Sequence, residues 1–383
     1  MARKLRIGLT GGGSGGHIYP LLSVADSLRK VASANSIDLE LRYFGPRDDF
    51  SEEVAARGIK MISVSAGKFR RYFSVANVID IPKIIFGVVQ AFFKLYFFMP
   101  DALFSKGGTG AFAVVFAAWF YRIPVIIHES DAIPGLNNVA SARFANKIAL
   151  SFEVAKEYFN SRKTFLTGNP LRQELQGTIT DKPSAKENLQ FDPSRPLIFI
   201  VCGSQGAKTV NEFVVTNIGE IMKVTQIFHQ TGSLNFLDIQ KLSEAALADI
   251  PVAAEVEHPY RIVPFIKAVD MKTAYAAADV VVGRSGSGTI FEAAYFGKPS
   301  ILIPIKESAN GHQRANAYAY AKGGAAAIIE EDNLSTQIFI SQIKAILLNR
   351  ELLGNMEKAA FAFAKPDAAD LIAKETLKLA LRV

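Results

Sequence analysis

The chain opens on a short apolar run, Leu5 to Leu9, that ends in glycines. It then passes into a segment, Leu21 to Ala32, whose leucines and valines recur at helical spacing. That order predicts a buried strand, a loop and an amphipathic helix. Further strands are predicted at LELRYF, KMISV, ALFS, PVIIHE and KIALSF, with helical segments between several of them. Strands separated by helices call for a parallel sheet wound on both faces. TGNP, Thr167 to Pro170, breaks the pattern, and a polar stretch runs on to Pro196. The order then restarts with PLIFIV, the loop CGSQGAK and a helix, followed by strands QIFHQ, DVVVG, PSILIPI and AAAIIE. The expected fold is α/β: two Rossmann-like doubly wound parallel-sheet domains, 1–168 and 169–366, facing a central cleft. An amphipathic C-terminal helix, 367–383, is expected to pack back toward the first domain.

One tract departs from this rhythm. Ile81 to Phe104 is the most apolar part of the chain, but Lys83, Gln90 and Lys94 interrupt it. No run reaches the roughly 18–20 apolar residues that a spanning helix needs. One reading is a buried or half-buried helix. The other takes in Gly67 to Phe73, where Lys68, Arg70 and Arg71 alternate with Phe69, Tyr72 and Phe73. Aromatic rings with interleaved cations suit the surface of an anionic bilayer.

Composition narrows the class. At 383 residues the chain exceeds one ordinary core, and 49% hydrophobic with 21% charged residues is a globular balance. The single Cys202 excludes an internal disulfide framework and fits a reducing compartment. The five histidines lie far apart, which argues against a Cys/His metal cluster. The first ten residues lack the apolar stretch and cleavage site of a signal peptide. A formal charge of +7 points to an anionic partner: nucleic acid, anionic lipid or a phosphorylated substrate. With no recognition module or dense basic stripe, nucleic acid is the poorest of these.

Three loops carry candidate chemistry. TGGGSGGHIYP, Thr10 to Pro20, has the strand–glycine–helix order of a phosphate site, yet lacks the Lys-Ser/Thr of a P-loop and does not fit the dinucleotide fingerprint. It reads as a nucleotide cradle, an acceptor site with a built-in base, or a tight turn. A neutral His17 at a helix start suits a general base for a hydroxyl, although a lone histidine is also a common structural residue. Cys202 to Lys208 again places small residues and a hydroxyl at a helix start, as a ligand loop or a turn. In Val281 to Ala317, glycines and hydroxyls open a helix bearing Glu292, and His312, Gln313 and Asn316 follow downstream. Glu292 near the first turn suits ribose hydroxyls, which need acceptors, or simply complements the helix dipole. His312, Gln313 and Asn316 suit a sugar or a helix cap.

Together these segments resemble the MurG family, transferases that move N-acetylglucosamine from UDP-N-acetylglucosamine to undecaprenyl-pyrophosphoryl-N-acetylmuramoyl-pentapeptide. The resemblance rests on TGGGSGGHIYP, KGGTG (Lys106 to Gly110), HES with PGLNN, TGNPLR, GSQGAKTVNE, HQTG, RSGSGTIFEAAYFGKPSILIP and HQRANA, in one order through nearly the whole chain. It implies the GT-B fold, with the acceptor in the N-terminal half and the nucleotide sugar in the C-terminal half. It implies inverting transfer in peptidoglycan synthesis, and so a part in cell shape and division. By the same resemblance Arg172 and Ser204, with Gln205 and Gly206 of the same loop, match positions that hold the UDP phosphates. Ile266 matches a backbone reader of uracil and Glu292 the ribose ligand. Ser287, Gly288 and Thr289 match the loop around the diphosphate, and Gln313, beside His312, a ligand of the sugar. Ser14, Gly15 and Gly16 match the acceptor or sugar side of the first loop, and His17 the base.

Two departures matter. The family commonly shows His-Glu-Gln-Asn where this chain has His128, Glu129, Ser130 and Asp131; an ionised Asp only accepts hydrogen bonds, so Asp131 becomes an alternative base. The pair before RANA is His-Gln rather than Gln-Gln. No Asp-X-Asp signature is present, so no metal and no cofactor beyond the substrate is expected. Expected partners are UDP-N-acetylglucosamine, the undecaprenyl-linked acceptor, an anionic membrane surface and other cell-wall synthesis proteins. The expected location is peripheral, on the cytoplasmic face of the bacterial membrane. The rivals are another GT-B enzyme, such as a glycolipid synthase or a UDP-N-acetylglucosamine epimerase, and a silent nucleotide-sugar sensor.

Overall fold

The computed structural model describes residues 4–66, 75–203, 205–248, 259–306 and 311–382, with only the backbone of 75–81 and 268–269. Contacts divide the chain into two units: Met1–Arg172 with Lys365–Val383, and Gln173–Ala364.

The first unit holds seven strands: β1 (Leu5–Thr10), β2 (Leu39–Gly45), β3 (Lys60–Ser63), β4 (Ala102–Ser105), β5 (Val125–Glu129), β6 (Lys147–Leu150) and β7 (Thr164–Leu166). Their order is β3-β2-β1-β4-β5-β6-β7, and every pairing is parallel. The central strands β4 and β5 are buried along their whole length, which is why they open as apolar runs, ALF and VII, before the polar residues Ser105, His128 and Glu129 at their carboxyl ends. The helix Ala368–Leu381 covers the helix Gly15–Ala34 within this unit, contributing Ile372, Ala373 and Leu377 to one core. Its flanks are tied by Lys30 to Asp370 at 2.9 Å and by Lys147 to Glu375.

The second unit holds β8 (Leu197–Val201), β9 (Gln226–Gln230), β10 (Tyr260–Val263), β11 (Val280–Gly283), β12 (Ser300–Leu302) and β13 (Ala326–Ile328). The order β10-β9-β8-β11-β12-β13 is again all parallel. In both units the order reverses between the first strand and the fourth, β1 beside β4 and β8 beside β11. Loops at the carboxyl ends of these pairs diverge to opposite faces, leaving a crevice where such sheets take ligands.

Two strands escape the hydrophobic pattern. β7 has three residues, none of them fully buried, and β10 carries the exposed Arg261 on an edge. The helix Gly15–Ala34 also begins earlier than its leucines indicate, so Gly15, Gly16 and His17 form its first turn.

The apolar tract is a helix, Val75–Phe98, followed by β4, and it is turned inside out. Two of the polar residues that interrupt it face inward, while Lys83 is exposed: Gln90 Oε1 accepts from Ser65 N at 2.8 Å, and Lys94 donates to the Ser63 carbonyl. They cap the end of β3, while Ala91, Leu95 and Phe98 fill the core beneath. Ile85, Phe86, Phe93, Tyr96 and Phe97 are exposed, Phe97 at 80%. The helix is thus half-buried, as one of the two readings has it, and its exposed face is apolar. Residues 67–73, the basic-aromatic stretch, lie outside the described residues.

Candidate functional site

In the first unit the site forms where β1, β4 and β5 end side by side. After β1, the Gly11 carbonyl accepts from the Tyr43 hydroxyl, and the Gly13 amide donates to Asp48 Oδ2 at 3.2 Å. One loop amide is thus already satisfied by a carboxylate, so the loop is not a full phosphate cradle. The amides of Gly15 and Gly16 start the helix, whose dipole favours negative charge in front of them. His17, on the same turn, pairs its Nδ1 with Ser14 Oγ at 2.8 Å. Burial, with a smaller contribution from the Lys106 ammonium, pushes the half-buried His17 down to about 3. The imidazole is neutral at physiological pH.

After β4 comes Lys106, which is 1% exposed and whose Nζ has no hydrogen-bond partner among the described residues. Burial pushes its pKa down, while Glu129 and Asp131 pull it up. Gly107 and Gly108 follow, both with positive φ. A side chain at Gly108 would strike the Gly12 carbonyl at 2.2 Å and the His17 ring at 3.2 Å. Only glycine lets this loop lie against the imidazole.

After β5, the buried Glu129 carboxylate accepts from the amides of Asp131 at 2.9 Å and Gly135 at 3.1 Å, and from Asn138 Nδ2 at 2.9 Å. Burial, and then the nearby Asp131, raise its pKa. Glu129 therefore shapes the turn that carries Asp131. Asn137 Nδ2 donates to the Gly108 carbonyl at 2.7 Å, tying PGLNN to the lysine loop. His128 is fully buried and structural, with Nε2 3.0 Å from the Gly168 carbonyl. Arg172 belongs to this unit as well, its guanidinium 5.2 Å above the Tyr19 ring.

The structure thus gathers Ser14, Gly15, Gly16, His17 and the Asp131 turn around Lys106, a residue the sequence reading quoted within a motif without a role. The signal was there: a lysine directly follows the short run ALFS, apolar but for its last residue, and precedes two glycines, where no solvated face is expected.

In the second unit the loop after β8 has positive φ at Gly203 and Gly206. A Cβ at Gly206 would lie 1.8 Å from the Thr231 carbonyl, so this loop rests on the one after β9. Asn235 Nδ2 donates to the Gln205 carbonyl at 3.0 Å, and the helix Lys208–Thr216 starts behind. Ser204 lies outside the described residues. After β10, the Ile266 amide donates to Gln230 Oε1 at 3.3 Å and its side chain is buried.

After β11, Ser287, Gly288 and Thr289 open the helix Ser287–Tyr295. Glu292 falls in its second turn rather than near the first, and its Oε2 accepts from the buried Tyr275 hydroxyl at 3.1 Å. It is a positioned acceptor rather than a dipole-complementing residue of the first turn. Ser285 Oγ donates to the Gln313 carbonyl at 2.7 Å, Asn316 Nδ2 donates to the Ser285 carbonyl at 3.2 Å, and Gln313 Oε1 accepts from Ile305 N at 3.2 Å. These bonds hold the start of the helix His312–Ala321 against the loop after β11, with His312 half-buried at its first position. Among the described residues no three His, Cys, Asp or Glu side chains group as metal ligands.

Comparison with known proteins follows the same division. Residues 7–150 match the glycosyltransferase family 28 N-terminal domain and residues 197–372 the glycosyltransferase family 28 C-terminal domain. The chain is 33% identical over 374 residues to the UDP-N-acetylglucosamine–N-acetylmuramyl-(pentapeptide) pyrophosphoryl-undecaprenol N-acetylglucosamine transferase of Clostridium tetani, covering 97% of this chain and 98% of that one. The enzyme of the same name from Treponema denticola is 34% identical over 381 residues, at 95% of each chain. The crystal structure of MurG from Acinetobacter baumannii is similar with a TM-score of 0.74 and 25% identity, covering 98% of this chain and 99% of that one. Similarity that spans both sheets, both switch points and nearly every residue of each relative places this chain in the MurG family of glycosyltransferases.

Proposed function

We propose that this chain transfers N-acetylglucosamine from UDP-N-acetylglucosamine to the C4 hydroxyl of undecaprenyl-pyrophosphoryl-N-acetylmuramoyl-pentapeptide. Full-length similarity to enzymes of that name supports the overall reaction. One observation carries the mechanism: a neutral imidazole, a buried ammonium with no hydrogen-bond partner among the described residues and a carboxylate-braced turn converge at the ends of three adjacent strands.

The acceptor's C4 oxygen attacks the anomeric carbon as the bond from that carbon to the diphosphate breaks, its electron pair leaving on UDP. His17 takes the hydroxyl proton. A hydrogen on Nδ1 donated to Ser14 leaves the Nε2 lone pair for this task. The acceptor diphosphate is held by Lys106 and the Gly15 and Gly16 amides. Its charge offsets the ammonium field on His17, so the imidazole becomes a better base when the acceptor is bound. Asp131 orients the acceptor sugar from the opposite side. Arg172, the amides of the Gly203–Ala207 loop and the helix behind it stabilise the departing UDP. Glu292 accepts from the ribose, and Gln313 and His312 contact the donor sugar.

No metal ion enters this scheme, and turnover persists in excess chelator. Loss with EDTA and recovery with Mg²⁺ or Mn²⁺ overturns that part. The exposed aromatic face of Val75–Phe98 rests on the membrane that holds the acceptor lipid, on the cytoplasmic side. No described helix is long and apolar enough to cross a membrane.

The test is transfer of labelled sugar to a short-chain lipid acceptor. His17→Ala is expected to lose about 10²–10⁴-fold in kcat. Asp131→Ala is expected to raise the acceptor KM with a smaller loss in kcat. The reverse ranking transfers the role of base to Asp131.

A further inference from the structure

Arg284 directly follows β11, and Glu331 opens a short 3₁₀ turn just after β13. The guanidinium is buried. Its Nη1 donates to the Ile303 carbonyl at 3.0 Å and its Nη2 to Glu331 Oε1 at 2.6 Å. The other carboxylate oxygen, Glu331 Oε2, accepts from the Lys306 amide at 3.1 Å. The ion pair thus grips the turn after β12 at both ends. Between the two grips lie Pro304 and Ile305, and the Ile305 amide donates to Gln313 Oε1 at 3.2 Å.

The peptide that carries this Ile305 N–H joins Pro304 to Ile305. On one side, the peptide before Pro304 is held through the Ile303 carbonyl, and the proline ring locks φ at about −65°, so that one torsion is left to turn. On the other side, the peptide between Ile305 and Lys306 is held through the Lys306 N–H. The direction of the Ile305 N–H is therefore set from both flanks. An N–H partner identifies the facing atom of Gln313 as its oxygen, which leaves the Nε2 hydrogens for a ligand. Ser285 Oγ, bonded to the Gln313 carbonyl at 2.7 Å, holds the backbone of the same residue.

We propose that Glu331 is a positioning residue for the donor sugar: with Arg284 it fixes the Ile303–Lys306 turn, and that turn fixes the Gln313 amide with its N–H groups toward a hydroxyl oxygen of the sugar. This rests on the reading, made above, that Gln313 contacts that sugar. The pair acts on the sugar rather than on the UDP moiety, because the chain of bonds ends on Gln313, whereas the ribose acceptor Glu292 is held separately by Tyr275.

The experiment is calorimetric titration of UDP and of UDP-N-acetylglucosamine into full-length wild type, Glu331→Ala, Gln313→Leu and the double variant. Thermal melts confirm that each is folded, and Glu331→Gln, which keeps one acceptor beside Arg284, carries the same test if the alanine variant is not. Both single variants are expected to bind UDP within about twofold of wild type but UDP-N-acetylglucosamine about tenfold more weakly, as for loss of a hydrogen bond to the sugar. The double variant is expected to bind no worse than Gln313→Leu alone, since the two residues act in series. Unchanged UDP-N-acetylglucosamine affinity in the Glu331 variant, equal loss of both ligands, or losses that add in the double variant overturn the proposal and leave the sugar contact of Gln313 standing. Full UDP-N-acetylglucosamine affinity in Gln313→Leu removes that contact and the proposal with it. A wild type that binds neither ligand overturns the donor assignment itself.

Discussion

Among the described residues nothing accepts a hydrogen bond from Lys106 Nζ, and a buried ammonium so placed costs several kcal/mol, so Lys106 persists against stability. Its replacement separates the two quantities. Lys106→Met is expected to raise the unfolding free energy by about 1–2 kcal/mol while lowering kcat/KM by about a hundredfold, read by thermal melts and by transfer assays. The same variant reports on His17. In the wild type burial and Lys106 hold that imidazole near 3, so the acid limb of kcat/KM is expected well below the ordinary histidine value of 6.5. Removing the ammonium shifts the limb upward, and a limb near 6.5 in the wild type sinks the assignment of His17 as the base. Gly108 provides a third probe, because a methyl there must displace the Gly12 carbonyl at φ +84°. Gly108→Ala is expected to cost about 1–2 kcal/mol and to impair kcat more than donor KM, since the displaced loop lies on His17. At this scale the sequence displayed the residue types and hid their relations. His17 and Asp131 were visible as chemistry, but that Glu129 spends its carboxylate on the Asp131 turn depends on contacts across strands.

At the scale of elements, the helix Val75–Phe98 shows where pattern reading fails and why. Periodicity assigns polar residues to water, yet Gln90 and Lys94 are needed inside to satisfy the Ser65 amide and the Ser63 carbonyl. Part of the apolar surface, Ile85, Phe86, Phe93, Tyr96 and Phe97, is left facing outward, and the next helix, Ala111–Phe120, extends it with Trp119 at 47% and Phe120 at 60% exposure. Phe92 joins the two helices, its ring 5.0 Å from that of Phe120. Exposed aromatic surface on adjacent helices suits docking to lipid or protein, and the lipid tail of the proposed acceptor argues for a bilayer. Changing Phe93, Phe97 and Trp119 to Ser is expected to abolish flotation with anionic vesicles, with melting temperature and turnover of a short-chain acceptor unchanged. Vesicle binding that survives the triple change removes this face from the docking surface. The central strands, by contrast, were legible outright, because burial on both faces makes them apolar up to their carboxyl ends. Edge strands β7 and β10 were not, since half of each pair of faces is solvated and the run is too short to show a period.

For the whole molecule, the repeated strand–loop–helix order was enough to reveal two parallel sheets, because each must rebuild the same right-handed crossover from the same sequence grammar. Both units also share a liability to acid. His128 in the first and His229 in the second are fully buried, and burial holds both pKa values below the ordinary histidine value, His229 to about 3. Between that value and 6.5 the unfolded chain binds a proton that the native His229 refuses, so stability rises with pH across the window and is lost as pH falls below 6.5. At pH 5 this amounts to about 2 kcal/mol for His229. In the first unit Glu129 opposes the trend: its raised pKa favours the native state at low pH and withdraws that contribution as pH rises. The second unit has His229 without such a counterweight beside it, since its ring partners are the neutral Asn211 and Tyr260. His229→Gln is therefore expected to lower stability at pH 7.5 but to flatten its decline between pH 6.5 and 5. Denaturant melts of wild type and variant at four pH values over that range measure the two slopes. Parallel slopes mean that the acid sensitivity of this protein arises elsewhere than at His229.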